Sequence, residues 1–225
     1  MPQQHSVATR TKKASAARNE ALIRNEPVQA RSAARLDALL DAAAAVIDEI
    51  GYERLTTAMV AEGAGASIGT VYRYFPDRIA VLQALSQRNH DRLLARLDAV
   101  LADEGHGDWD EALTAVFDAL ADAFRTEPSF ASLRVGDVLD LRPPAHDATA
   151  YDRIADETLD RIASSFGLTI SDDARFDFHV CLALADALLG RAFARDPKGD
   201  KRHLEAGRTL MSAAMQRHLG GSVKR

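Results

Sequence analysis

Residues 56–78 read TTAMVAEGAGASIGTVYRYFPDR, two short helical patterns joined by a glycine-bearing turn. Thr56 stands where an N-cap belongs, because its hydroxyl can accept from a first-turn amide that has no helical partner. Met59, Val60 and Ala64 then recur at helical spacing. Gly63 and Gly65 make an unbroken helix costly, and Gly65 can take positive φ without strain. Ser67 offers a second cap, followed by Thr70, Val71, Tyr72, Tyr74 and Phe75. Pro76 ends that helix, since the residue before a proline is pushed out of the α region. Asp77 caps whatever follows. Helix, turn and helix within about twenty residues is the size of the DNA-binding supersecondary unit.

The run resembles the DNA-binding domain of the tetracycline-repressor (TetR) family of transcription regulators. The matching residues are Thr56, Val60, Ala61, Ala64, Gly65, Ser67, Gly69, Thr70, Val71, Tyr72, Tyr74, Phe75 and Pro76, with Arg78 behind them. The motif resemblance covers roughly residues 31–90; beyond it, only length and helical layout match. Two positions depart from the pattern. Ile68 stands where such proteins often carry lysine and cannot contact a phosphate, and Met59 lacks the carboxylate that completes a capping box.

The 225 residues carry a net charge of −5, which by itself argues against a nucleic-acid partner. Its distribution argues otherwise. Residues 1–35 hold seven Lys and Arg against two Glu, a local balance of +5 that leaves −10 on the remainder. A polyanion senses only the charge within a Debye length of ~8 Å. The hydrophobic content of 47% suffices for a real core. One cysteine, Cys181, cannot form an intramolecular disulfide, which fits a reducing cytosol and a cytoplasmic protein. The basic N-terminus lacks a signal-peptide core. No run approaches the ~18 apolar residues of a membrane span, so no membrane partner is expected.

The chain reads as all-α, a three-helix helix-turn-helix domain followed by a larger helical bundle. Residues 1–30 hold almost no large apolar side chain before Leu22. Two readings stand for them: a solvated tail, or a basic arm that lies along DNA. Residues 31–77 form the reading domain, opened by an amphipathic helix through Leu36, Leu39, Leu40, Ala43, Ile47 and Ile50 and stopped at Gly51. Residues 78–225 form the body. Its first helix starts at Asp77 or Arg78, with Ile79, Leu82, Leu85, Leu93, Leu97 and Leu101 as buried stripe, and breaks at Glu104–Gly107. A helix from Asp108 or Trp109 carries Leu113, Val116, Phe117, Leu120 and Phe124, and Pro128 ends it. Phe130–Leu141 reads as one short helix. Helices over about 148–166 and 172–195, and a final helix after the Asp196–Gly199 turn that carries Leu204, Gly207, Leu210, Met211, Ala214 and Met215, complete the bundle, with Asp172-Asp173 as cap of the second.

DNA recognition needs phosphate contacts for position and base-edge contacts for sequence. On the second motif helix, the side away from Val71 and Phe75 presents Ile68, Gly69, Thr70, Arg73 and, in part, Tyr72 and Tyr74. Arg73 can bind guanine in bidentate fashion, and Thr70 can bond a base or pack its methyl on thymine. Ser67 presents a helix N-terminus to a phosphate. Tyr72 is read equally well as a core residue. The resemblance adds Thr56 and Arg78 to the DNA-contacting set, Arg78 as a phosphate clamp.

The resemblance further implies a homodimer on double-stranded operator DNA and a body that binds a small hydrophobic effector. Candidate linings are Trp109, Phe117, Phe124, Phe130, Tyr151, Phe178 and Cys181, with Arg134, Asp137 and His179 as polar anchors. Plain core packing is the competing reading of each. The helix from residue 172 is apolar nearly all round and must be covered on several sides. Its Leu184 and Leu188, with Leu204, Met211 and Met215 of the last helix, are expected in a dimer interface; filling the monomer core is the alternative. No cofactor is expected. His179 and Cys181 diverge on a helix, and no histidine spacing suits a metal, so enzyme readings fail. The rival functions are a helical protein-interaction module and a constitutive DNA-binding regulator without an effector.

Overall fold

The computed structural model describes residues 30–103, 105–127, 129–130, 133 and 150–220, with the side chains of 150 and 151 left aside. The expected N-terminal arm and most of the Phe130–Leu141 segment lie outside these residues, as do Arg134 and Asp137. All regular structure among the described residues is helical. Helix α1 covers 30–50. A short 3-10 turn at Tyr52–Arg54 leads to α2 (Thr57–Gly63) and α3 (Ile68–Tyr74). Helices α4 (Arg78–Leu101), α5 (Trp109–Thr126), α6 (Ala150–Phe166), α7 (Asp172–Phe193) and α8 (Lys201–Leu219) follow.

Local chemistry sets most of these ends. The Thr56, Ser67 and Asp77 side chains accept from the backbone amides of Met59, Thr70 and Ala80 at 3.2, 3.2 and 2.9 Å. Each removes one unmet donor from a helix start, worth about 1 kcal/mol. Gly65 sits at φ 56°, the left-handed conformation that turns the chain between α2 and α3. Asp108 caps α5 through the amides of Asp110 and Glu111. The expected cap of α7 is corrected: Ser171 accepts from the Ala174 amide, and Asp172 and Asp173 occupy the first turn instead.

Two cores form. The first joins Leu39, Ala43 and Ile47 of α1, Val60 of α2, Val71 of α3 and Phe75 to Val81, Leu82 and Leu85 of α4. Leu133, from beyond α5, is buried in the same cluster. The second core takes Leu93, Leu97 and Leu101 from the far half of α4, then Trp109, Phe117, Leu159, Phe178, Leu189, Met211 and others of α5–α8. Helix α4 thus belongs to both cores. Its expected stripe is right except at the start: Ile79 is exposed, and Val81 takes the buried place. Helix α8 folds back along α7 after the turn at Gly199, and its Gly207 lets the Phe117 ring close in.

Candidate nucleic-acid interface

Helix α3 is held by its buried face and leaves the other free. Val71 is fully buried and Phe75 nearly so, which anchors the helix on α1 and α2. The opposite side carries Ile68, Gly69, Tyr72 and Arg73, all exposed. Tyr72 is 55% exposed, which decides between its two readings: it is not a core residue. Its hydroxyl accepts from Thr57 of α2 at 3.4 Å. The Ser67 and Thr70 hydroxyls lie 3.0 Å apart, so the Thr70 oxygen is already engaged at the helix start. Gly69 has open space around its Cα, with only the Ser67 hydroxyl at 3.8 Å from where a Cβ would stand.

Tyr74 turns to the other side. Its hydroxyl meets Ser32 of α1 at 3.2 Å, and the Arg73 guanidinium lies 5.5 Å from its ring centroid. Arg78 is half-buried and donates to the Glu53 carbonyl at 2.6 Å, which ties the 3-10 turn to the start of α4. Thr56 spends its side chain on the α2 cap. The expected set therefore splits. Ile68, Gly69, Tyr72 and Arg73 form one outward face, Ser67 and Thr70 close its start, and Thr56, Tyr74 and Arg78 brace the frame. Between α1 and the end of α3 runs a groove of about 480 Å3 lined by Arg31, Ser32, Arg35, Arg73 and Tyr74, among others. In sequence, Arg31 and Arg35 stand out only as charge.

In the body, Phe124 and Phe130 meet edge to face at 5.3 Å and line one small cavity with Leu93, Ile154, Leu182 and Asp186. Its volume is about 30 Å3, room for about one water. Trp109, Phe117, Phe178 and Cys181 are packed into the surrounding core and do not line it. Burial, and then the nearby Asp177 carboxylate, push the Cys181 thiol pKa up. His179 is bound by two carboxylates, Asp152 at 3.3 Å and Asp156 at 3.0 Å, and belongs to an α6–α7 tie instead of a pocket.

The expected dimer residues also divide. Leu204, Met211 and Met215 are buried in the chain's own core, because α8 turns that stripe toward α5 and α7. Leu188 is half-buried and Leu184 is 46% exposed. Phe176 and Val180, each one turn apart from the next, extend Leu184 into an exposed apolar stripe at 68% and 42%. Periodicity could not find it: an all-round apolar helix gives no sign of which side its own body covers.

A capped helix-turn-helix with an exposed second helix, set on a helical body, defines a DNA-binding regulator. Residues 39–85 match the sequence family "Bacterial regulatory proteins, tetR family", and 107–219 match "Tetracyclin repressor-like, C-terminal domain". The chain belongs to the TetR family of DNA-binding transcriptional regulators, a class of transcription factors and not of enzymes. A TetR-family regulator from Streptomyces coelicolor has 34% identity and a TM-score of 0.68, the match covering 81% of this chain and 98% of that one. FadR from Bacillus subtilis, solved with stearoyl-CoA, shares the fold at 20% identity and TM-score 0.58, over 79% of this chain and 96% of that one. The repressor KstR of Mycolicibacterium smegmatis is 38% identical over 60 residues, 27% of this chain and 29% of the relative. The chain thus matches less than a third of that relative's length. Among the described residues no helix is long and apolar enough to cross a membrane.

Proposed function

We propose that the chain acts as a homodimeric repressor that leaves its operator when a small apolar effector enters the body. The outward face of α3 carries the reading: four adjacent side-chain positions, Ile68, Gly69, Tyr72 and Arg73, stand free of their own core. Arg73 reads a guanine, Ile68 packs on the groove floor, Tyr72 contacts the groove floor or the backbone, and Ser67 and Thr70 offer the helix start to a phosphate. Arg78 and Thr56 serve indirectly, by fixing the frame. The KstR match, over 60 residues, supports a repressor.

The dimer reading rests on the Phe176–Val180–Leu184 stripe and on a groove of about 820 Å3 along α8 floored by Ala206, Leu210 and Ala213. Apolar stripes of this extent mark association sites, and a second copy meeting across a two-fold axis would cover both at once. The effector reading rests on the Phe124–Phe130 cavity and on the acyl ligand held by a protein of the same fold. An effector that prefers one dimer geometry changes DNA affinity by the same coupling free energy. The cavity's small volume favours a second reading, a constitutive regulator with no effector.

Selection of bound sequences from a random duplex pool, followed by sedimentation of the complex and a release screen with small molecules, tests this. A two-fold symmetric site, two protomers per site and release by an apolar compound are expected. Sequence-independent binding by a monomer would overturn the proposal, and tight binding that no compound releases would favour the second reading.

A further inference from the structure

The groove between α1 and α3 joins three cations with no carboxylate in its walls. Arg31, Ser32, Arg35 and Ala38 come from α1, Arg73 and Tyr74 from α3. Among the described residues, none of the three guanidiniums has a carboxylate partner. Elsewhere the fold pairs its arginines readily: Arg88, Arg96, Arg175, Arg208 and Arg217 each face a carboxylate within 3.0 Å. Helix α1 has carboxylates of its own, but Asp41 is turned toward Arg88 of α4. Arg31 and Arg35 are one turn apart on the same face, where like charges repel unless an anion sits between them.

We infer that Arg31 and Arg35 hold a backbone phosphate of the operator duplex in this groove, a contact made by α1 and separate from the base contacts of α3. The inference rests on the DNA-binding reading above and adds a residue pair to it. The walls are preformed, since the Tyr74 hydroxyl and Ser32 hydroxyl tie α3 to α1 at 3.2 Å, and the Arg73 guanidinium lies against the Tyr74 ring. The small side chains of Ala34 and Ala38 leave the floor open to a bulky backbone. Guanidinium forks match phosphate oxygens in bidentate geometry. The occupant is duplex DNA because the groove borders the exposed face of α3. A helix seated in the major groove brings its flanks against the sugar-phosphate strands.

The test uses the full-length protein and a duplex selected from a random pool. The Arg31→Ala/Arg35→Ala variant is expected to bind every duplex more weakly by a similar factor. Its plot of log affinity against log salt should be shallower by about 0.9 for each phosphate that is no longer neutralised. Its base preferences should match those of the unaltered protein, and Arg31→Lys/Arg35→Lys should restore most of the slope. Replacing one operator phosphate by a neutral methylphosphonate should weaken the unaltered protein and leave the alanine variant indifferent. An unchanged slope, or no phosphate that distinguishes the two proteins, overturns the inference. So does a changed base preference, which would make the pair base readers. Competition by inorganic phosphate at constant ionic strength, absent in the alanine variant, would assign the groove to the free anion. Failure of the unaltered protein to bind any duplex would instead remove the parent reading.

Discussion

Arg88 of α4 and Asp41 of α1 are joined at 2.7 Å, and the same guanidinium reaches the Asp37 carbonyl at 3.4 Å. Arg88 is 12% exposed at the side chain, whereas Asp41 is 66% exposed, so the pair works partly in solvent. It fastens the first helix of the reading domain to the helix that runs into the body. Arg88→Ala is expected to cost about 1 kcal/mol, because one partner remains screened by water. For a chain of this length that lowers the thermal midpoint by about 2–4 °C. Scanning calorimetry at low and high salt checks it; equal losses at both would show that packing, not the ion pair, is responsible.

Arg73 and Arg78 are expected to behave differently on replacement. Arg73→Ala should relax sequence preference at one base pair, by about 1–3 kcal/mol, with the thermal midpoint unchanged. Arg78→Ala removes the hydrogen bond to the Glu53 carbonyl, so it should lower the thermal midpoint and weaken all duplexes alike. Anisotropy titrations on matched and single-base-changed duplexes separate the two. Identical affinity profiles for the two variants would contradict this assignment.

The caps behind that difference were readable from residue type alone. Thr56, Ser67 and Asp77 cap as expected because a cap bonds an amide only two or three residues away. Burial on α7 was not readable in the same way. Phe176 and Phe178 are equally apolar, yet one is 68% exposed and the other fully buried, since only the packing of α5, α6 and α8 chooses the covered side. The same limit moved Leu204, Met211 and Met215 from the expected interface into the core. Arg31 and Arg35 escaped notice as site residues because their neighbours Arg73 and Tyr74 lie some forty positions away in sequence.

Val180→Asp places a carboxylate in the middle of the exposed α7 stripe. Val180 makes no part of the buried core, so folding should be little changed. Self-association is expected to weaken by tenfold or more, since an unpaired charge would have to be desolvated at the interface. Sedimentation equilibrium over a range of concentrations measures it. A variant that dimerises as tightly as the parent would place the interface elsewhere.

Gly207→Ala tests the close approach of α8 to α5. A methyl there would stand 2.4 Å from two Phe117 ring carbons, so the ring or the helix must shift. Overpacking of this kind costs about 1–3 kcal/mol. Urea denaturation should show a lower midpoint with unchanged slope; a midpoint equal to the parent would mean that the core accommodates the methyl freely.

His90 should give stability a pH dependence. It is buried on α4 with its Nδ1 unpartnered among the described residues, and burial, then the positive Arg153, hold its pKa below the ordinary 6.5. Asp91 and Glu157 oppose that shift without reversing it. The unfolded chain therefore takes up the proton first, and the folded state loses stability as pH falls from about 6.5 through the lower folded value. His90→Leu should flatten the fall in urea midpoint between pH 7 and pH 5 relative to the parent. Parallel curves for the two proteins would show that other groups set the dependence.

Leu133 fills a place in the reading core although it lies beyond α5 in the chain. Truncating it to alanine would cost about 2–5 kcal/mol by opening a hole in that core. The order of synthesis gives this a second meaning. A ribosome delivers α1 through α4 well before residue 133 exists, so these nascent helices emerge with their shared core one side chain short. The DNA-binding unit reaches its finished form only when the start of the body has been made and has folded back onto it.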